Sequence, residues 1–162
     1  MTETAPDAPR EPQTLRLPVA TLDALAAWAE DGTGLTAAAR VRDPVGRIAL
    51  VKNDWSDGWL PPGGGVEPGE APPAAAEREV REETGLDAAV GGPLVVFDQT
   101  YVAAGNGRER FTAEYVLYAA RAEGPIPEAT RLGARPGEIR AARWFDAPPE
   151  NLHDGDLLRP YP

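Results

Sequence analysis

Three glutamates at helical spacing are the residues of this sequence best suited to chemistry. Glu79, Glu82 and Glu83 stand at positions i, i+3 and i+4, directly after Arg78. If the segment is helical, the three carboxylates share one face, and like charges at that spacing destabilise an isolated helix. The face is therefore either fully solvated or occupied by a hard divalent cation, and oxygen ligands of this kind suit Mg²⁺ or Mn²⁺.

The residues around the glutamates predict a loop, a helix and a helix end. Pro72 and Pro73 fall at or just before the first turn, where proline costs no hydrogen bond. Glu70 offers a carboxylate near the helix start, where we expect it to cap the helix and complement the dipole. Gly85 follows the last helical residue, as a left-handed C-terminal cap requires. The glycine-rich segment 61–65 lets backbone approach a ligand closely.

The same segment resembles the signature of a known protein family. Gly64, Glu70 and the run from Arg78 to Leu86 match every fixed position of the Nudix box, the motif of the Nudix hydrolases. The resemblance covers about residues 33–146. It implies an α/β protein with the Nudix fold, an α/β/α sandwich in which a mixed β-sheet carries a loop–helix–loop catalytic motif.

This resemblance implies a reaction and a set of site residues. The reaction is the hydrolysis of a pyrophosphate bond in a nucleoside diphosphate linked to another moiety, with Mg²⁺ or Mn²⁺ as cofactor. Glu79, Glu82, Glu83 and the backbone carbonyl of Gly64 are the implied metal ligands, and Arg78 is implied to orient the carboxylates. A bound metal polarises phosphoryl oxygens and lowers the pKa of a bound water, which is then the nucleophile.

A further glutamate from outside the motif is commonly needed in this family, as a metal ligand or as the general base. We nominate Glu138, which lies just ahead of the last predicted strand; the alternative is an exposed loop carboxylate. Glu123 and Glu128 are weaker candidates. The predicted catalytic residues are Arg78, Glu82, Glu83 and Glu138.

The sequence leaves the substrate open among deoxynucleoside triphosphates, ADP-sugars and dinucleoside polyphosphates. Tyr101 lies close to the place of a tyrosine associated with dinucleoside polyphosphate hydrolases, although a strand tyrosine is more often a core residue. Trp55 would either meet a base or lie exposed, whereas Trp28 is expected to pack a helix. A different function, a Nudix-fold module that binds and senses a nucleotide without cutting it, also stays open.

Charge and composition narrow the partners. The chain of 162 residues has 26 acidic and 16 basic residues, a net charge of −10 and no cysteine. This charge disfavours nucleic acid gripped through its backbone, and no apolar run approaches the length of a membrane span. We expect a cytoplasmic protein that binds a small nucleotide, with no nucleic-acid or membrane partner. A homodimer is compatible with the sequence but not indicated by it.

The rest of the chain predicts one domain. We expect residues 1–14 to be a disordered, proline-rich tail and residues 15–162 to form a single Nudix domain with an N-terminal helix and a C-terminal tail. Asp43, Pro44 and Gly46 predict a type I turn. The predicted helices lie near 18–32, 72–84 and 151–158, and the predicted strands near 36–42, 47–53, 93–102, 110–121 and 139–145.

Overall fold

The computed structural model describes residues 4–54, 56, 58–153 and 160–161. Within these ranges the chain forms seven strands, two α-helices and one turn of 3-10 helix. The strands are β1 (Arg10–Leu17), β2 (Leu35–Arg42), β3 (Ile48–Asn53), β4 (Gly63–Gly65), β5 (Ala89–Ala103), β6 (Glu109–Arg121) and β7 (Ile139–Phe145). The helices are α1 (Val19–Glu30), α2 (Pro72–Thr84) and the 3-10 turn Ala129–Arg131. No helix of the described part is long and apolar enough to cross a membrane.

The strands form one mixed sheet. Its order is β1-β5-β6-β2-β3-β7, and β4 pairs separately with β2. β1 runs parallel to β5 and β2 runs parallel to β6, whereas the remaining pairs are antiparallel. The central position of β6, predicted from its two apolar faces, is confirmed.

The two helices cover opposite faces of this sheet. Val116 of β6 belongs to the core cluster that includes Ala76 of α2. Phe111 of the same strand lies in a second cluster with Leu22 of α1. Because alternate residues of a strand point to opposite faces, this parity places α1 and α2 on either side of the sheet. The predicted α/β/α arrangement is therefore confirmed.

The N-terminal segment differs from the prediction. The sequence predicts a disordered tail as far as residue 14, but Arg10–Leu17 pairs with β5 along its whole length as β1. Arg10 anchors the start of the strand through hydrogen bonds to Asp98 and Glu114. An edge strand needs only its backbone to pair, so polar side chains do not reveal it, and Pro12 is tolerated because edge strands leave one side unpaired.

The predicted turn at residues 43–46 is present in the structure, whereas the predicted C-terminal helix falls mostly outside the described residues. The predicted turn between β2 and β3 is confirmed, because the Gly46 N–H donates to the carbonyl of Asp43 at 3.0 Å. The Asp43 carboxylate also accepts the backbone N–H of Arg47 at 2.7 Å. The predicted helix near residues 151–158 falls largely outside the described residues, and within them Leu152 forms a bridge with Trp59.

Replacing Leu22 with alanine should destabilise the protein by about 2–5 kcal/mol, because it empties a fully buried position beneath α1. Val19→Ala is the matched control, since Val19 lies on the same helix and is 54% exposed. The control should change the free energy of unfolding by less than about 0.5 kcal/mol. Urea unfolding followed by circular dichroism measures both values. Equal losses in the two variants would contradict the packing of α1.

Candidate functional site

A strand of glycines brings backbone directly against the carboxylates of α2. β4 pairs antiparallel with residues 36–38 of β2. A β-carbon on Gly64 would lie 2.5 Å from the carboxyl carbon of Glu79, and one on Gly63 would lie 2.7 Å from the carbonyl oxygen of Ala37. Such distances exclude a side chain unless the neighbours shift, so glycine is required here by close approach.

Helix α2 begins without a side-chain cap. Ala71 is the N-cap residue, and prolines occupy the first two helical positions. The prediction that Glu70 caps the helix is wrong, because no side chain forms a capping hydrogen bond there. Proline has no backbone N–H, so the two prolines leave fewer donors for a cap to satisfy. The helix ends as predicted, with Gly85 in the left-handed region at a φ of 76°.

Arg78 ties the glutamates to the glycine strand. Its Nε and Nη2 atoms lie 2.9 and 3.0 Å from the two carboxylate oxygens of Glu70. Its Nη1 atom lies 2.9 Å from Glu79 and 3.5 Å from Glu82, and Nη2 also donates to the carbonyl of Gly65 at 3.2 Å. The hydrogen bond to Glu70 and the charges of Glu70 and Glu79 raise the pKa of Arg78. The guanidinium therefore stays charged and fixes the side chains around it.

Two of the predicted ligands are buried carboxylates. Glu83 is 6% exposed and Glu79 is 9% exposed, while the side chain of Glu82 keeps 34% of its surface in solvent. The N–H of Gly63 donates to Glu83 Oε1 at 3.0 Å. Burial and, to a smaller extent, the charges of neighbouring carboxylates raise the pKa of Glu83 to about 8 despite that hydrogen bond. Burial also raises the pKa of Glu79, against the opposing charge of Arg78.

These carboxylates fit a divalent cation as part of its coordination shell. A cation between Glu79 and Glu83 would offset both the loss of solvent and their mutual repulsion. In the described part of the chain, no group of three or more Asp, Glu, His or Cys side chains is already converged into a metal cage. Mg²⁺ does not need one, because it commonly binds one or two carboxylates and completes its shell with water and phosphate oxygens.

The loop before β7 brings Glu138 towards this site. Its Oε2 atom accepts the N–H of Ala134 at 2.6 Å. The N–H of Gly133 donates to the carbonyl of Glu82 at 2.6 Å, which docks the loop on the last turn of α2. The charge of Glu138 contributes to the raised pKa values of both buried glutamates, so it lies within electrostatic range of them. The structure thus brings Glu138 together with the residues of the motif.

The predicted substrate contacts are not assembled with the glutamates. Tyr101 is 8% exposed, and its ring stacks on Phe111 at 4.8 Å between centroids, in the cluster beneath α1. Packing therefore accounts for most of its surface, and its substrate role stays a prediction. Trp55 lies outside the described residues. Trp28 packs α1 against the glycine strand, with its Nε1 atom 3.3 Å from where a β-carbon on Gly65 would lie.

In the absence of divalent ions, stability should fall as the pH rises. The folded-state pKa of Glu83, about 8, exceeds its ordinary value of 4.5, so the folded state holds this proton more tightly than the unfolded state. Its contribution is complete below about pH 4.5 and is lost as the pH rises through about 8. Urea unfolding midpoints measured in EDTA between about pH 6 and 9 give the dependence of stability on pH. This dependence should be weaker in Glu83→Gln than in the wild type. An equal dependence in the two proteins would contradict the raised pKa of Glu83.

Comparisons with known proteins agree with this geometry. A family model described as NUDIX domain matches residues 32–156. Human diphosphoinositol polyphosphate phosphohydrolase 3-beta is 44% identical over 71 residues, which are 43% of this chain and 40% of that protein. Rat diphosphoinositol polyphosphate phosphohydrolase 2 is 34% identical over 99 residues, which are 60% of this chain and 49% of that protein.

A solved structure shares the fold. A NUDIX hydrolase from Nitrosomonas europaea superposes with a TM-score of 0.53 at 25% identity, over 68% of this chain and 70% of that one. The chain spans less than half the length of the two curated relatives above. The family model nevertheless covers the glycine strand, α2 and Glu138 in one continuous match. The chain belongs to the NUDIX domain family.

Proposed function

We propose that this protein is a metal-dependent pyrophosphohydrolase that cleaves a phosphoanhydride bond in a small nucleotide, a nucleoside diphosphate linked to another moiety. One observation carries the proposal: Glu79 and Glu83 are buried beside the glycine backbone with too little positive charge to balance them. The names of the curated relatives, which describe phosphohydrolases of diphosphate compounds, support the same reaction class.

The residues of the chain divide the work of binding and catalysis. Glu79, Glu82, Glu83 and the carbonyl of Gly64 would hold Mg²⁺ or Mn²⁺. When bound, the metal supplies Lewis acidity towards the phosphoryl oxygens and a lower pKa for water. Arg78 keeps the carboxylates in place through its bonds to Glu79 and Glu82.

Glu138 is the proposed general base. Its Oε2 atom already accepts the N–H of Ala134, so the loop holds the carboxylate in position. In the reaction an oxygen of water forms a bond to phosphorus while the bridging P–O bond breaks, and Glu138 accepts the proton of the water. A positioned base of this kind contributes roughly 10²–10⁴-fold to the rate.

Charge gives the metal a second role in substrate binding. The net charge of the chain is −10, and a diphosphate brings further negative charge next to three glutamates. Cations between the carboxylates and the phosphates reverse the local charge and remove this repulsion. We therefore expect binding of the diphosphate at this site to require the metal.

The relatives favour a second substrate class. Both curated relatives described above are named for diphosphoinositol polyphosphates, and the same carboxylates would serve for a diphosphate on an inositol ring. The alternative without turnover, a nucleotide-sensing module, would bind one of these molecules and leave it intact. A panel of substrates distinguishes hydrolysis of a nucleotide, hydrolysis of a diphosphoinositol polyphosphate and binding without hydrolysis.

Glu83→Gln should lower kcat by roughly two orders of magnitude or more, because a neutral amide is a poor metal ligand. Glu77→Gln is the matched control, since Glu77 lies on the same helix but is exposed. Initial rates with Mg²⁺ should be measured on deoxynucleoside triphosphates, ADP-ribose, diadenosine tetraphosphate, NADH and a diphosphoinositol polyphosphate. Unchanged turnover in Glu83→Gln would contradict the site, and binding without turnover in the wild type would favour the sensor.

A further inference from the structure

The loop between β6 and β7 docks on the end of α2. The N–H of Gly133 donates to the carbonyl of Glu82 at 2.6 Å. Pro127 and Leu132 pack around Gly85, since a β-carbon there would lie 3.0 Å from Pro127 Cδ and 3.7 Å from Leu132 Cδ2. The loop therefore takes its position from the helix that carries the three glutamates.

The last part of this loop, here called the turn 133–138, folds back on Glu138. The N–H of Ala134 donates to Glu138 Oε2 at 2.6 Å, and the N–H of Glu138 donates to the carbonyl of Arg135 at 3.3 Å. Ala134 and Arg135 are exposed, whereas Leu132 and Ile139, which flank the turn, are only 5% and 3% exposed. An exposed turn between two buried anchors thus holds the carboxylate.

Gly133 stands where the contacts to α2 and to Glu138 meet. Its φ of 94° lies in the left-handed region that favours glycine. A β-carbon at this position would lie 2.8 Å from Glu138 Oε2 and 3.0 Å from Glu138 Cβ, and so short a contact requires one group to shift. The carboxylate ends a flexible side chain, so it is the group that would move. The open space beside Gly133 is therefore what allows Glu138 to accept the N–H of Ala134.

Gly137 has the same backbone requirement without this contact. Its φ is 78°, and a β-carbon built on it would meet nothing within 4 Å. The turn 133–138 thus contains two left-handed glycines that differ in whether a side chain would reach Glu138.

The location of the Glu138 carboxylate matters for the proposed chemistry. Its charge acts on both Glu79 and Glu83, so it lies close to the proposed metal ligands. A general base must lie within hydrogen-bond reach of the proton that it accepts. A displacement of about 1 Å can lower the rate by roughly 10²-fold. The turn that fixes this carboxylate is therefore a condition for turnover.

We propose that Gly133 is a positioning residue of this reaction. It ties the turn 133–138 to α2 and leaves the space in which the Glu138 carboxylate is held. This inference rests on the proposed function and adds to it a residue that touches neither the substrate nor the metal. Because Gly133 acts through Glu138, its effect on turnover disappears when Glu138 can no longer accept a proton.

Gly133→Ala should lower kcat by about tenfold or more, because the new β-carbon displaces the base. KM and the affinity for Mn²⁺ should stay at the wild-type values, since the metal ligands do not move. Gly137→Ala is the matched control: an alanine at positive φ strains both variants, so both should melt at a similarly lowered Tm. The control should nevertheless keep the kcat of the wild type. Initial rates are measured on the substrate that the wild type cleaves with the highest kcat/KM.

A double variant separates positioning from a general weakening of the loop. Glu138→Gln removes the base, so Gly133→Ala/Glu138→Gln should have the same kcat as Glu138→Gln alone. Amide hydrogen exchange of the metal-free protein reports on the same turn without turnover. The N–H of Ala134 should be protected in the wild type and in Gly137→Ala, and it should lose protection in Gly133→Ala.

Several results would overturn the inference and leave the proposed function intact. They are a wild-type kcat in Gly133→Ala, an equal loss of kcat in Gly137→Ala, and losses that multiply in the double variant. An Ala134 amide that exchanges freely in the wild type, or stays protected in Gly133→Ala, would also overturn it. Absence of turnover by the wild type on every substrate of the panel would overturn both the inference and the proposed function.

Discussion

The burial of two carboxylates, Glu79 and Glu83, is the constraint on which the rest of the site depends. Removing an ionised carboxylate from water costs several kcal/mol unless charge and hydrogen bonds replace the solvent. The structure replaces the lost solvent only in part: Arg78 donates a hydrogen bond to Glu79, and the N–H of Gly63 donates one to Glu83. The remaining imbalance is the reason for our proposal that this helix face binds a cation.

The fold supplies the rigidity that such burial needs. α2 lies on the sheet through Ala75, Ala76 and Val80, all with no exposed surface, so the helix cannot turn its glutamates towards solvent. Gly64 in β4 lets the backbone of the sheet approach the side chain of Glu79 closely. The Gly133 bond to the last turn of α2 then holds the loop that carries Glu138. Helix, glycine strand and loop are thus fixed relative to one another.

Local patterns were sufficient to predict the helix that carries the three glutamates but not its surroundings. The spacing of Glu79, Glu82 and Glu83 and the flanking proline and glycine signals predicted α2 and its end, because these signals act within a few residues. β1 was missed, since an edge strand depends on a distant partner, β5. The role of Glu70 was wrong for a similar reason: its partner, Arg78, lies two helical turns along the chain.

The most direct test of the account is a titration of Mn²⁺ followed by the electron paramagnetic resonance signal of the free ion. The account predicts that the wild type removes Mn²⁺ from solution and that the Glu79→Gln/Glu83→Gln double variant does so much more weakly. Glu77→Gln, which removes an exposed charge from the same helix, should bind like the wild type. Equal Mn²⁺ binding by the double variant and the wild type would contradict the claim that these buried carboxylates form the metal site.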